Sequence, residues 1–267
     1  MAKLEQVIKA FEAMEEVQAL ALSGSKGTGQ LIKDDLSDFD LYVYYDVNVP
    51  IAKRIASLSP LFQTSSLGNS IYEETDNGDT EEGYFDIMYR SFDWIEHEID
   101  DVWHNCNART GYTTCFVFNL QHSKILFDKD GRLTALKAEV MKPYPDQLVH
   151  SIVEKNWPLI DPKARDLAME QIRTALKRND RNSIIHRVAT YFASYFDILF
   201  AMNRQGHPGE KKLIPYSLQL CRHLPEDFIN DMERTYDSIW RPSILDNLTI
   251  LSNKLGKIIG SGGTLLH

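Results

Sequence analysis

Cysteine is scarce: Cys106, Cys115 and Cys221 are the only three in 267 residues, and no two of them stand in a CxxC pair. An odd, scattered set excludes a disulfide framework and a zinc ribbon. No apolar run approaches the roughly 18 residues that a membrane span requires. The residues after Met1, Ala-Lys-Leu-Glu-Gln, lack the apolar core of a signal peptide, so a cytoplasmic location without a membrane is expected. Positive charge is also short: 29 Lys and Arg against 38 Asp and Glu leave a formal net charge of −9. That balance repels a long phosphate backbone and favours a small molecule, a cationic acceptor or a protein partner. It leaves the oligomeric state open. There is no HExxH metal motif, and no Gly-Lys-Ser/Thr follows the early glycines at Walker spacing.

What is present divides into two halves. Leu4, Val7, Ile8, Phe11 and Met14 recur at helical spacing, predicting a helix over about 4–19. A glycine-rich turn follows, Ser23-Gly24-Ser25-Lys26-Gly27-Thr28-Gly29. Asp38 to Tyr45 is rich in β-branched and aromatic residues and predicts a strand. Helices are expected over 51–62 and 93–104, and a strand over 83–90. Between them, the long acidic stretch from Ser65 to Glu82 reads as a solvated loop, or as a rim attracting a cationic acceptor. After Pro143-Tyr144-Pro145 the pattern is helical almost throughout, its clearest helix running from Ser183 to Asn203. The expected fold class is α+β: a mixed sheet flanked by helices over 1–145, then an all-helical domain over 146–267.

Side chains alternate along a strand, so Asp38 and Asp40 share one face while Phe39 and Leu41 point into a core. Two adjacent carboxylates with no Lys or Arg in the same strand repel each other unless a cation lies between them. Magnesium suits them, since it takes hard oxygen ligands and completes its shell with substrate phosphates. Upstream, Gly24 lets backbone approach a polyphosphate closely and Ser25 adds a hydroxyl donor.

Gly24-Ser25, a connection of about a dozen residues, and Asp38-Phe39-Asp40-Leu41 together resemble the signature of the polymerase-beta-like nucleotidyltransferase superfamily. The closest resemblance is to bacterial aminoglycoside- and lincosamide-modifying nucleotidyltransferases, which likewise follow a catalytic domain with a helical one. Ser23 departs mildly from the pattern, standing where relatives carry an apolar residue. The resemblance implies a third carboxylate on a later strand, matched by Asp86 in Tyr84-Phe85-Asp86-Ile87-Met88. It implies transfer of a nucleoside monophosphate, AMP from ATP or its equivalent from another nucleoside triphosphate, to a hydroxyl of a small molecule such as an aminoglycoside-like antibiotic. Asp38, Asp40 and Asp86 would hold Mg2+ or Mn2+, with Asp86 alternatively the general base. Gly24, Ser25 and Ser37 would hold phosphates. Lys211 and Lys212, beside Gly206-His207-Pro208-Gly209, would reach in from the helical half as it closes over the cleft.

Two other readings stay open: an AMP-transferring enzyme of the antitoxin type, acting on a protein side chain, and a non-catalytic nucleotide-binding protein of the same fold. That all three carboxylate positions are filled favours activity.

Overall fold

The computed structural model describes residues 2–28, 32, 37–71, 73–164 and 168–262. Within them lies a six-stranded mixed sheet of order β3-β4-β5-β2-β1-β6. Its strands are β1 (Val17–Leu22), β2 (Phe39–Tyr45), β3 (Thr64–Asn69), β4 (Thr75–Thr80), β5 (Gly83–Ser91) and β6 (Lys124–Asp128). Only β2 and β5 run parallel; every other neighbouring pair is antiparallel. The chain divides into two compact units. One comprises residues 1–100 and 119–143, the other 101–118 and 144–267. The fold is α+β.

In the first unit α1 (Lys3–Glu12) and α2 (Ile51–Leu58) supply the apolar side chains that cover one face of the sheet. Val7, Phe11 and Leu58 are buried with Leu20, Leu41, Val43, Phe85, Ile87 and Tyr89. The helix expected to reach Ala19 ends at Glu12, because Val17–Leu22 pairs with β2 on one edge and β6 on the other. Satisfying both backbone edges of an almost wholly buried run outweighs its helical spacing.

The acidic stretch is a second departure, since Thr64–Asn69 and Thr75–Thr80 within it pair antiparallel as β3 and β4, a hairpin rather than a loop. Its carboxylates are mostly engaged. Asp76 is fully buried, accepting from Arg54 Nε and Nη2 at 2.9 Å each and from the Tyr89 hydroxyl at 2.6 Å. Glu73 pairs with Arg90 at 3.3 Å, Glu74 accepts from Asn48, and Asp79 accepts from Thr64.

After α3 (Phe92–Ile99), α4 (Cys115–His122) and α5 (Arg132–Val140), the second unit is built on α6 (Asp146–Ile160), α7 (Ala168–Lys177), α8 (Arg181–Met202), α9 (Leu213–Leu220), α10 (Phe228–Asp237) and α11 (Ile244–Gly262). It also takes in residues 101–118, which a single cut at 145 assigned to the first domain. Hydrogen bonds explain why. Gly111 N–H donates to Asn156 Oδ1 (2.9 Å), and Thr113 donates its N–H and hydroxyl to Asp197 (3.0 and 2.6 Å). Asn156 Nδ2 returns to the Arg109 carbonyl at 2.9 Å. Partners on α6 and α8 thus hold a segment that sequence distance placed elsewhere. No helix among the described residues is long and apolar enough to cross a membrane.

Candidate active site

The parallel register of β2 and β5 sets Asp40 directly beside Asp86. Even-numbered residues of both strands point away from the core of Leu41, Val43, Phe85 and Ile87, so the half-buried Asp40 and Asp86 emerge together on the opposite face of the sheet. That face is open at their end and closed farther along, where Tyr44 is buried against Phe92. Asp38 lies one residue before β2 and is exposed. Burial raises the Tyr84 phenol, and the negative charges of Asp86, Asp79 and Asp38 raise it further. One register step along, Tyr42 is pushed up to about 12, chiefly by burial; Arg90 opposes this and Asp40 adds to it. The open face is therefore acidic at the start of β2, with cationic Arg90 near the far end of β5.

Gly24 begins a single 3-10 turn, Gly24–Lys26, that follows β1. Its φ of +58° is a left-handed conformation that favours glycine, and a Cβ there would stand 2.8 Å from Asp40 Cγ and closer still to Oδ2. The missing side chain is what lets the turn backbone lie against the Asp40 carboxylate. Backbone bonding helps: Ser23 N–H donates to the Asp40 carbonyl at 2.8 Å. Gly27 makes a second close approach, since a Cβ there would meet the carbonyl of His122 at 2.6 Å. Thr28 N–H donates to that same carbonyl at 3.1 Å.

Ser23, the departure from the signature, is buried, and its Oγ accepts from Asn119 Nδ2 at 2.8 Å. Asn119 lies on α4 (Cys115–His122), so both ends of the turn are tied to that helix. A hydroxyl in place of an apolar side chain gains a specific partner here.

Of the residues expected at the site, Gly24, Asp40 and Asp86 are brought together, with Asp38 and Ser25 adjacent in chain. Ser37 is half-buried just before β2. Residues 29–31 and 33–36, including Gly29 of the glycine-rich turn, lie outside the described residues. Lys211 and Lys212 belong to the second unit; Lys212 caps α9 with a left-handed φ of +54°. Nearby Arg204 is engaged with Asp146 at 2.6 Å.

Asn77, Asn119 and Tyr84 were not anticipated. Asn77 donates from Nδ2 to Asp86 Oδ1 at 2.7 Å. Only strand register could have revealed it, and the acidic stretch around it hid the strand.

Among the described residues, no group of three or more His, Cys, Asp and Glu side chains is gathered as a complete metal cage. Magnesium does not demand one, because it binds through one or two carboxylates and keeps its other positions for water and phosphate. Two hard-oxygen donors side by side, with the Asp40 carboxylate lying against the bare Cα of Gly24, fit such an ion.

The family described as "Domain of unknown function (DUF4037)" matches residues 112–213. No curated protein matches the sequence. Among solved structures, the chain is similar to a nucleotidyltransferase-like protein from Exiguobacterium sibiricum 255-15, with TM-score 0.44 and 11% identity over 97% of this chain and 74% of that one. It is also similar to a STING-associated CdnE c-di-GMP synthase from Capnocytophaga granulosa, with TM-score 0.28 and 11% identity over 98% and 80% of the two chains.

Proposed function

We propose that the protein is a metal-dependent nucleotidyltransferase, moving a nucleoside monophosphate from ATP or another nucleoside triphosphate to a hydroxyl of a small molecule. The observation that carries this reading is the pairing of Asp40 with Asp86 on one open sheet face, with the Asp40 carboxylate packed against the bare Cα of Gly24. Asp38 and Asp40 would hold Mg2+ or Mn2+, with Asp86 either a further ligand or the base that takes the attacking hydroxyl's proton. When bound, the metal supplies charge neutralisation at the α-phosphate and orients the pyrophosphate leaving group.

The chain's own residues do the positioning. The Gly24-Ser25 backbone offers N–H donors beside the carboxylates, and Ser25 and Ser37 offer hydroxyls, so phosphate oxygens meet donors rather than more negative charge. In the role of base, Asp86 would accept the proton of a hydroxyl lying over β5. Lys211 and Lys212 are assigned, in this proposal, the β- and γ-phosphates; neutralising them is expected to weaken triphosphate binding more than monophosphate binding. With most carboxylates of the β3–β4 hairpin engaged, an aminoglycoside-like acceptor is one class to screen rather than the favoured one.

The test incubates the protein with Mg2+, each of the common nucleoside triphosphates labelled at the α-phosphate, and a panel of hydroxylated small molecules. Label entering an acceptor with pyrophosphate released, and neither occurring in Asp40→Ala, is the expected result. Equal transfer by Asp40→Ala would remove the proposal.

A further inference from the structure

Asp86 has a neighbour on each side at the same level of the sheet. On β2 it is Asp40, and on β4 it is Asn77, paired in register with Asp86. Asn77 is in turn paired with Ser66 on β3, so one row crosses four strands as Asp40, Asp86, Asn77 and Ser66. Within that row Asn77 Nδ2 donates to Asp86 Oδ1 at 2.7 Å. Only the amide nitrogen can donate to a carboxylate, so the chemistry itself fixes which way the amide points.

We propose that Asn77 is a positioning residue that orients the Asp86 carboxylate for metal binding and for nucleotidyl transfer. The inference rests on the function proposed above. A carboxylate on a strand turns freely about its last torsion unless something holds it. Here a charge-assisted bond of 2.7 Å holds one oxygen, so the plane of the group is set before substrate arrives.

The residue type fits this task. Lysine or arginine at position 77 would bring a full positive charge beside Asp86 and compete with a divalent cation for the carboxylate. Aspartate would present an acceptor where a donor is needed. An amide supplies a donor without net charge, which orients Asp86 and leaves its attraction for a cation in place. The opposite face of β4 has another use, since Asp76 points into the buried Arg54 pair. The strand thus presents a structural carboxylate inward and a positioning amide outward, at adjacent residues.

Three variants test it: Asn77→Ala, Asn77→Asp and Asn77→His. The imidazole Nδ1 stands two bonds beyond Cβ, as the asparagine Nδ2 does, so histidine can restore the donor. Mn2+ alone is titrated into each protein at pH 8.5, followed by electron paramagnetic resonance, and kcat and KM are measured for pyrophosphate release. Asn77→Ala is expected to weaken Mn2+ binding and lower kcat by about 10- to 100-fold, with the KM for nucleoside triphosphate changed less than kcat. Asn77→His should recover most of both losses. Asn77→Asp should bind Mn2+ more tightly than wild type yet turn over more slowly, a divergence that a merely structural residue would not produce.

If Asn77→Ala weakens Mn2+ binding and histidine restores it while wild type transfers no nucleotide, the positioning role stands and the transfer reading falls. If wild type transfers nucleotide and Asn77→Ala matches it in Mn2+ affinity and kcat, the positioning role is overturned and the transfer reading stands. A wild type that binds no Mn2+ overturns both.

Discussion

Substituting Gly24 with alanine joins the backbone of the first unit to its chemistry. At φ +58° an L-residue pays a left-handed penalty of about 1–2 kcal/mol. The new Cβ would also stand 2.8 Å from Asp40 Cγ. Non-bonded carbons settle at about 3.5–4.0 Å, so the carboxylate must retreat by about 1 Å. Turning Asp40 off its rotamer costs on the order of 1 kcal/mol, which brings the expected loss of stability to about 2–3 kcal/mol. A displacement of about 1 Å at a reacting centre costs on the order of 100-fold in rate, so the site should suffer more than the fold. Urea melts of wild type, Gly24→Ala, Asp40→Ala and the double variant separate the two terms. With Asp40 truncated the steric part vanishes, and Gly24→Ala should then cost only the backbone part. Mn2+ titration of the single variant should show weakened binding in a folded protein. A Gly24→Ala protein that melts and binds Mn2+ as wild type does would refute the packing of Asp40 against this turn.

Three further outcomes follow from the same geometry. Asp86→Asn should lower turnover by about 100-fold or more if Asp86 is the general base, with nucleotide affinity changed far less; a metal-ligand role would shift the magnesium dependence as well, and an enzyme unchanged in both would make Asp86 a bystander. Arg54→Met strands the buried Asp76 carboxylate and should destabilise the protein by about 3–5 kcal/mol; adding Asp76→Leu should recover part of that loss in thermal melts, and no recovery would contradict a buried pair. In the second unit, burial holds the Asp197 carboxyl up at about 7, against the hydrogen bonds of Thr113 and Asn156. Between about pH 4 and 7 the native state therefore keeps a proton that the unfolded chain has released, and this group's contribution to stability falls as pH rises through that window, then levels off. The stability difference between wild type and Asp197→Asn should follow that slope by up to about 4 kcal/mol in total; a flat difference across the window would contradict it.

Local signals carried much of this architecture. Alternation in Asp38–Tyr45 marked a strand, observed as Phe39–Tyr45 with Asp38 one residue before it, and the apolar spacing of Ser183–Asn203 marked the long buried helix, observed as Arg181–Met202. What stayed hidden depends on pairing between distant segments. Val17–Ala19 continued a helical spacing and became strand only because β2 and β6 flank it. Asp76 read as one of a run of solvated acids, and nothing local foretold an arginine 22 residues earlier reaching it inside the core. Asn77 belongs with Asp86 only once β4 is known to lie in register with β5. Residues 101–118 group with the helical unit through single hydrogen bonds to Asn156 and Asp197, which no hydrophobic period encodes.

The central claim is that Asp38 and Asp40 bind a divalent metal together with a nucleoside triphosphate. Calorimetric titration of a non-hydrolysable ATP analogue, with and without Mg2+, into wild type, Asp38→Asn and Asp40→Asn tests it directly. The account predicts Mg2+-dependent binding in wild type and its loss in both variants, with their melting temperatures maintained or slightly raised by the relief of like charge. Binding that is indifferent to Mg2+, or retained when either carboxylate is neutralised, would contradict it.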